Sequence, residues 1–255
     1  MEFIDTHSHL YDEAFNGEYD SAVSRAVEAG VTKLIFPDID SQSREAMFAM
    51  AGRHEGTVFP CLGLHPTSID AGWEKEMEEM ERWLDRKIYA IGEIGMDCYW
   101  SKEFIKEQQT ALRLQLELAD RLNLPVIIHS RESTELIINV LKECKHLSLR
   151  GVFHAYSGSA ETFRELQKLG DWYIGIGGVL TYRKASIAET VKEIPLERIL
   201  LETDSPYLTP VPFRGKRNES SYVPHIAAKL AEQTGRPVEE VAYITTENAR
   251  TLFGI

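Results

Sequence analysis

Phe3-Ile4-Asp5-Thr6-His7-Ser8-His9 is a short apolar strand that runs straight into a His-x-His pair. Residues two apart on a strand point to the same side, so His7 and His9 are presented together at its C-terminal end. Neutral imidazole is the commonest side-chain ligand for a metal ion. By itself the pair equally fits two surface histidines after an N-terminal strand. Its reading turns on whether later strands end the same way.

They do. Eight apolar, strand-like runs recur: Glu2–Asp5, Lys33–Pro37, Val58–Leu64, Ile88–Ile94, Pro125–His129, Gly151–Ala155, Trp172–Gly177 and Ile199–Thr203. Continuous apolar runs such as Val126-Ile127-Ile128 suit parallel strands buried on both faces. Between them the pattern predicts helices over Tyr19–Ala29, Ser43–Arg53, Trp73–Arg86, Phe104–Leu122, Ser133–Cys144, Ala160–Leu169 and Ser186–Ile194. A loop rich in Pro, Arg and Gly covers 205–223. Two closing helices follow, Pro224–Thr234 and Pro237–Phe253, each opened by a proline where a helix tolerates one. Eight β-α units in 255 residues predict one domain, residues 1–255, folded as a single (β/α)8 TIM barrel of the α/β class. The competing architecture is an open doubly wound sheet. No G-x-G-x-x-G turn follows the first strand, which weakens its dinucleotide-binding version.

Composition narrows the class. The chain is 43% hydrophobic and 27% charged, as in ordinary globular proteins. No apolar run approaches membrane-spanning length. The N-terminus enters a strand directly, without the pattern of a signal peptide. Three scattered cysteines, Cys61, Cys98 and Cys144, make neither a disulfide framework nor a zinc knuckle, so a cytoplasmic location is expected. The net charge of −12 argues against broad, non-specific nucleic-acid binding. A local phosphate site remains compatible with it, because bound divalent cations invert the local field. Much of the acid lies in Glu74 to Glu81, which reads as a solvated helix face.

Barrel enzymes place their chemistry at the C-terminal ends of the strands. Five of the eight histidines, His7, His9, His65, His129 and His154, fall at predicted strand ends; His54, His146 and His225 do not. Strand four adds Glu93 and Asp97, and strand eight adds Glu202 and Asp204. Four histidines with Glu93 and Asp204 form a ligand set for two divalent ions. A carboxylate can bridge such a pair at about 3.5–4 Å, where a water is held and activated. Burying these groups together without metal would be costly.

The motifs resemble those of the TatD family of metal-dependent deoxyribonucleases, a branch of the amidohydrolase-like barrels. The matching pieces are Asp5-Thr6-His7-Ser8-His9-Leu10, Gly63-Leu64-His65-Pro66, Gly92-Glu93-Ile94-Gly95-Met96-Asp97, His129-Ser130-Arg131, and His154 to Gly158. Glu202-Thr203-Asp204-Ser205-Pro206-Tyr207-Leu208 and Arg214-Gly215-Lys216-Arg217-Asn218-Glu219 complete the set, which spans nearly the whole chain in order. The resemblance implies that His7, His9 and Asp204 hold one metal, that His129 and His154 hold the second, and that Glu93 bridges. It also implies that Asp204 orients or deprotonates the attacking water. Glu202 either supports the site and contacts substrate or is a plain structural carboxylate. His65 either touches substrate or shapes its loop. Asp97 either supports the site or binds substrate.

Arg131 lies two residues past His129 and could clamp a phosphate, since guanidinium matches phosphate geometry. Arg214, Lys216 and Arg217 form a basic island that either guides a nucleic-acid backbone or is a solvated loop. Tyr99, Trp100 and Tyr156 either stack on bases or pack at the rim. The chain departs from the family pattern at Cys98, at Ala155-Tyr156 after His154, and at Ser220. These departures touch no implied ligand and bear on substrate preference.

The expected activity is hydrolysis of DNA, single-stranded or at ends, by a monomer using two divalent ions: zinc, magnesium or manganese. The same site could instead cleave an amide or ester, such as the ester of an aminoacyl-tRNA. A non-catalytic metal-binding module is the reading from outside the enzymes. No membrane association is expected.

Overall fold

The computed structural model of the protein describes residues 1–255. Eight strands alternate with helices: β1 (Phe3–Asp5), β2 (Val31–Phe36), β3 (Val58–Pro60), β4 (Ile91–Asp97), β5 (Val126–Arg131), β6 (Arg150–Phe153), β7 (Asp171–Ile176) and β8 (Ile199–Leu201). All neighbouring strands are parallel, in the orders β1-β2-β3 and β4-β5-β6-β7-β8. Parallel bridges join the two arcs. Leu62 pairs with Ile91, and Ser8 pairs with Ser205. At the second seam Thr6 N–H donates to Leu201 O (3.0 Å) and Asp204 N–H to His7 O (2.9 Å). The sheet therefore closes on itself as a (β/α)8 barrel, as the sequence pattern predicts.

The helices are α1 (Tyr19–Glu28), α2 (Ser41–Arg53), α3 (Trp73–Glu81), α4 (Ile105–Leu122), α5 (Thr134–Glu143), α6 (Ala160–Leu166), α7 (Ile187–Thr190), α8 (Val223–Thr234) and α9 (Val238–Phe253). They ring the barrel and bury their apolar stripes on the outer faces of the strands. Leu112, Leu116 and Ala119 of α4 pack there with Val126 and Ile128 of β5 in the larger core. A second core gathers alternate strand residues, Ile4, Ile35, Phe59, Ile127, Val152, Tyr173 and Leu200. Ala249, Leu252 and Phe253 of α9 pack against them, so the last helix plugs the barrel. No helix is long and apolar enough to cross a membrane.

Several elements differ in their bounds from the sequence expectation; β3 ends at Pro60 instead of Leu64, so His65 caps a short 3-10 turn beyond it, and α6 ends at Leu166 instead of Leu169. α3 stops at Glu81 instead of Arg86, and the chain continues in tight turns such as Trp83 N–H to Met80 O. Its last turn carries no basic residue, so acidic side chains face the negative end of the helix dipole. α7 covers only Ile187–Thr190 of the expected Ser186–Ile194; Pro195 lies just beyond, and the turns before it close with three-residue spacing. β4 runs three residues further than its apolar run suggests, because Gly95, Met96 and Asp97 pair with His129, Ser130 and Arg131 of β5. Gly95 and Asp97 are strand there because a neighbour supplies their hydrogen bonds.

Candidate metal centre

β1 ends at Asp5, so His7 and His9 stand in the bend beyond it rather than on the strand. Long-range bonds hold that bend. Ser8 N–H donates to Ile35 O (3.1 Å) and His9 N–H to Ser205 O (2.9 Å). Asp5 accepts Thr203 N–H (2.9 Å) and the Thr203 hydroxyl (2.6 Å), which ties the seam between β1 and β8. Asp204 follows that seam at φ 57°, in the left-handed region that aspartate tolerates better than most residues.

Glu93 of β4 lies at the centre, 2% exposed. Its two carboxylate oxygens face two different groups. Oε2 is 3.0 Å from His7 Nε2 and 3.7 Å from His9 Nε2. Oε1 is 2.7 Å from His154 Nε2, 2.9 Å from His129 Nδ1 and 3.2 Å from His65 Nε2. Asp204 Oδ1 stands 3.7 Å from His7 Nε2 and 3.8 Å from His9 Nε2. All six residues of the sequence-derived ligand set thus converge. Donor atoms of His7, His9 and Asp204 lie within 4.8 Å of one another, as do those of His65, Glu93 and His129.

Outer partners fix two of the ligand rings, His9 and His129. His9 Nδ1–H donates to Tyr11 Oη (2.8 Å), whose own proton goes to Pro37 O. That leaves the His9 Nε2 lone pair turned to the centre. His129 Nε2–H donates to Asp97 Oδ2 (3.0 Å), leaving Nδ1 toward Glu93. Asp97 Oδ1 accepts the Tyr99 and Trp100 N–H groups, so this buried carboxylate supports His129. His65 is different. Its Nδ1 accepts the Thr67 N–H (3.1 Å), so the proton of the neutral ring sits on Nε2 and points at Glu93. It is a hydrogen-bond donor inside the centre. Glu202 is fully buried; Oε1 accepts Ala155 N–H (2.6 Å) and lies 3.7 Å from His154 Nδ1.

Burial depresses His7 to about 4 and His9 to about 3, so both rings are neutral and ready to ligate at physiological pH. Burial pushes Asp204 up to about 7. At Glu93 burial works upward, but His154, His65 and His7 outweigh it and hold the carboxylate well below its ordinary value. Nitrogen and oxygen donors packed this closely, with the lone pairs of His9 and His129 turned inward by outer partners, fit divalent cations.

The other sequence candidates lie further out. Arg131 stacks on Tyr99, 3.8 Å from the ring centroid, at the exposed rim. Arg214 lies over Tyr182 at 4.0 Å. Arg217 is tied down by Ala14 O (2.6 Å) and Glu18 (3.0 Å), and Asn218 Nδ2–H donates to Thr203 O (2.8 Å). That part of the basic island therefore anchors the loop against the barrel. Sequence reasoning missed Tyr11, Thr67 and the pair Asp38–Arg44. Tyr11 repeats the two-residue spacing of His7 and His9, the only signal it offered.

A parallel barrel with a histidine and carboxylate cluster at its strand ends defines a class, the metal-dependent hydrolases of amidohydrolase-like fold. The family described as TatD related DNase matches residues 4–254. The chain belongs to this TatD-related family. It is 39% identical to an uncharacterized metal-dependent hydrolase of Bacillus subtilis, YabD, over 99% of both chains. The crystal structure of YjjV, a TatD homolog from Escherichia coli, superposes with a TM-score of 0.89 at 31% identity, covering 99% of this chain and 98% of that one. A TIM-barrel protein of Bordetella bronchiseptica, Bb4693, shares the fold at a TM-score of 0.62 and 14% identity, over 94% of this chain and 85% of that one.

Proposed function

We propose that the protein is a deoxyribonuclease that hydrolyses DNA phosphodiester bonds, single-stranded or at strand ends. His7, His9 and Asp204 would hold one divalent ion and His129 and His154 the other, with Glu93 between them. The observation that carries this reading is the division of Glu93, Oε2 toward His7 and His9 and Oε1 toward His129 and His154. Two divalent ions, when bound, polarise a phosphodiester and lower the pKa of the attacking water.

The side chains supply the rest. Asp204, beside His7 and His9, is placed to orient the attacking water or take its proton. Attack at phosphorus breaks the bond to one sugar oxygen, which leaves as an alcohol after protonation. His65 Nε2–H is a donor inside the same centre, now toward Glu93, and would serve an oxygen of the phosphate or the leaving group if substrate drew it away. Arg131 offers a guanidinium for a neighbouring phosphate. The whole chain would act as one domain. Three free, buried cysteines suit the reducing cytoplasm in which DNA is met.

The test is cleavage of end-labelled single-stranded DNA by protein stripped of metal and reloaded with Mg²⁺, Mn²⁺ or Zn²⁺. A ladder that requires metal, and that falls about 10²–10⁴-fold in Asp204→Asn, is expected. Absence of cleavage by protein carrying two ions would overturn the nuclease reading and turn attention to carbonyl substrates such as aminoacyl-tRNA esters.

A further inference from the structure

A neutral imidazole that turns Nε2 to a metal carries its proton on Nδ1, and a buried N–H without an acceptor is costly. His7 and His154 turn Nε2 to the centre, 3.0 Å and 2.7 Å from the two oxygens of Glu93. Unlike His9 and His129, they have no close partner on the other side: both Nδ1 atoms are buried and unpaired. One carboxylate stands beside both rings. It belongs to Glu202, whose Oε2 is likewise buried and unpaired. His154 Nδ1 is 3.7 Å from Glu202 Oε1. One donor atom from each of His7, His154 and Glu202 lies within 4.8 Å of the other two. The two rings stack, with centroids 3.8 Å apart and planes 13° from parallel, so one group can serve both.

The surrounding chain is shaped to hold this carboxylate. Gly175 of β7 lies against it: a Cβ there would stand 2.0 Å from Oε2, so no other residue leaves the carboxylate where it is. Ala155 adopts φ 43°, a left-handed conformation that alanine seldom takes, and its N–H donates to Oε1 (2.6 Å). Glu202 N–H donates to Ile176 O (3.2 Å), which fixes its backbone from β7. No lysine or arginine pairs with Glu202, so N–H groups and imidazoles alone answer its buried charge. A buried carboxylate of this kind is sustained by the donors it serves.

We propose that Glu202 is a positioning residue shared by both metal sites: it accepts the Nδ1 protons of His7 and His154 and so holds one ligand of each ion in the tautomer that leaves Nε2 free. The proposal rests on the ligand assignment above and not on the identity of the substrate. At 3.7 Å and beyond, the contacts are longer than hydrogen bonds. Bonds of this kind commonly tighten once a site is loaded. Tyr11 and Asp97 each serve one ring of one ion, whereas Glu202 joins the two sites.

The test reads the histidine ring nitrogens of zinc-loaded, isotope-labelled protein by NMR, and the zinc affinities of variants by chelator competition. In the wild type, His7 and His154 are both expected to show a protonated Nδ1 and a metal-bound Nε2. Glu202→Ala removes both acceptors and should weaken both ions by about 10–100-fold, the usual contribution of such partners. Glu202→Gln keeps one acceptor oxygen and turns an amide NH2 to the second ring. It should therefore weaken one ion by about tenfold or more and spare the other. An unprotonated Nδ1 on either ring of the wild type would overturn the proposal without any variant. So would Glu202→Ala protein that binds both ions as the wild type does, or that loses affinity for one ion only. Failure of the ligand assignment reads differently, as zinc-loaded protein in which neither ring binds metal.

Discussion

Tyr11 shows how one hydroxyl can set the chemistry of a ligand. Its oxygen accepts the His9 Nδ1 proton, and its own proton is committed to Pro37 O. The ring is thereby held in the tautomer with Nε2 free. Tyr11→Phe keeps the packing and removes only this constraint. Metal affinity is expected to fall about tenfold, the lower end of what such outer partners contribute; competition with a fluorescent zinc chelator would measure it. An unchanged affinity would mean that the bend alone orients His9. Protons at the centre give a second prediction. Burial raises Asp204 to about 7; burial opposes charge on His154, but Glu93 and then Glu202 carry that ring well above its ordinary value. Both groups therefore hold protons at pH 6 in the metal-free protein, and a cation must displace them. Metal affinity should rise with pH, and proton release on binding should be smaller at pH 8 than at pH 6 as Asp204 ionises on its own. Calorimetry in two buffers of different ionisation enthalpy counts those protons.

At the scale of elements, Asp38 after β2 is the clamp that holds Glu93 where the histidines meet it. Its backbone donates to Gly92 O (2.9 Å) and accepts Glu93 N–H (3.0 Å). Its carboxylate accepts Gly63 N–H (3.2 Å) beyond β3 and Arg44 Nε–H (2.7 Å) from α2. Four elements thus meet at one ion pair, with Arg44 only 1% exposed. Breaking a buried pair from one side is costly because the other charge is left without a partner. Arg44→Ala is expected to lose about 3–5 kcal/mol in urea unfolding at pH 8. Burial already pushes Asp38 up to about 7 against the pull of Arg44. Without Arg44 the carboxyl takes up a proton more readily, so the loss should be smaller at pH 6. Equal losses at both pH values would show that packing of the Arg44 stem, not its charge, supports the clamp.

The molecule as a whole separates chemistry from stability along the barrel axis, as barrels generally do. The ligand cluster lies beyond the C-terminal strand ends. At the other end α9 packs into the barrel, and Asn248 donates to Leu196 O (2.9 Å) and Ile199 O (2.8 Å) at the entry to β8. Asn248→Ala would leave two buried carbonyls without donors. It should cost about 1–3 kcal/mol of stability with kcat unchanged at 25 °C, checked by thermal unfolding beside a cleavage assay. A parallel loss of kcat would show that the plug and the centre are coupled.

The eight β-α units were legible because buried parallel strands must be apolar, and their spacing is fixed by the helix that returns the chain. The six candidate ligands were legible because each sits next to such a run. Where local signal was weak, the reading slipped. β4 extends through Gly95, Met96 and Asp97, which pair with β5, and α3 ends early under its own acidic charge; for Arg217, where the sequence left backbone guidance and a loop role open, the structure ties the side chain to Ala14 and Glu18. The sequence by itself therefore determined the architecture and the kinds of donor atom it brings to one face. Only the tertiary structure decided which atoms meet. Closure sets Thr6 against Leu201, 195 residues away, and with it His7 and His9 beside Asp204. It also decided that Glu93 turns one oxygen to each group of histidines. Periodicity reports which face of an element is buried, but the angle at which two distant side chains approach is set by the closure of the sheet.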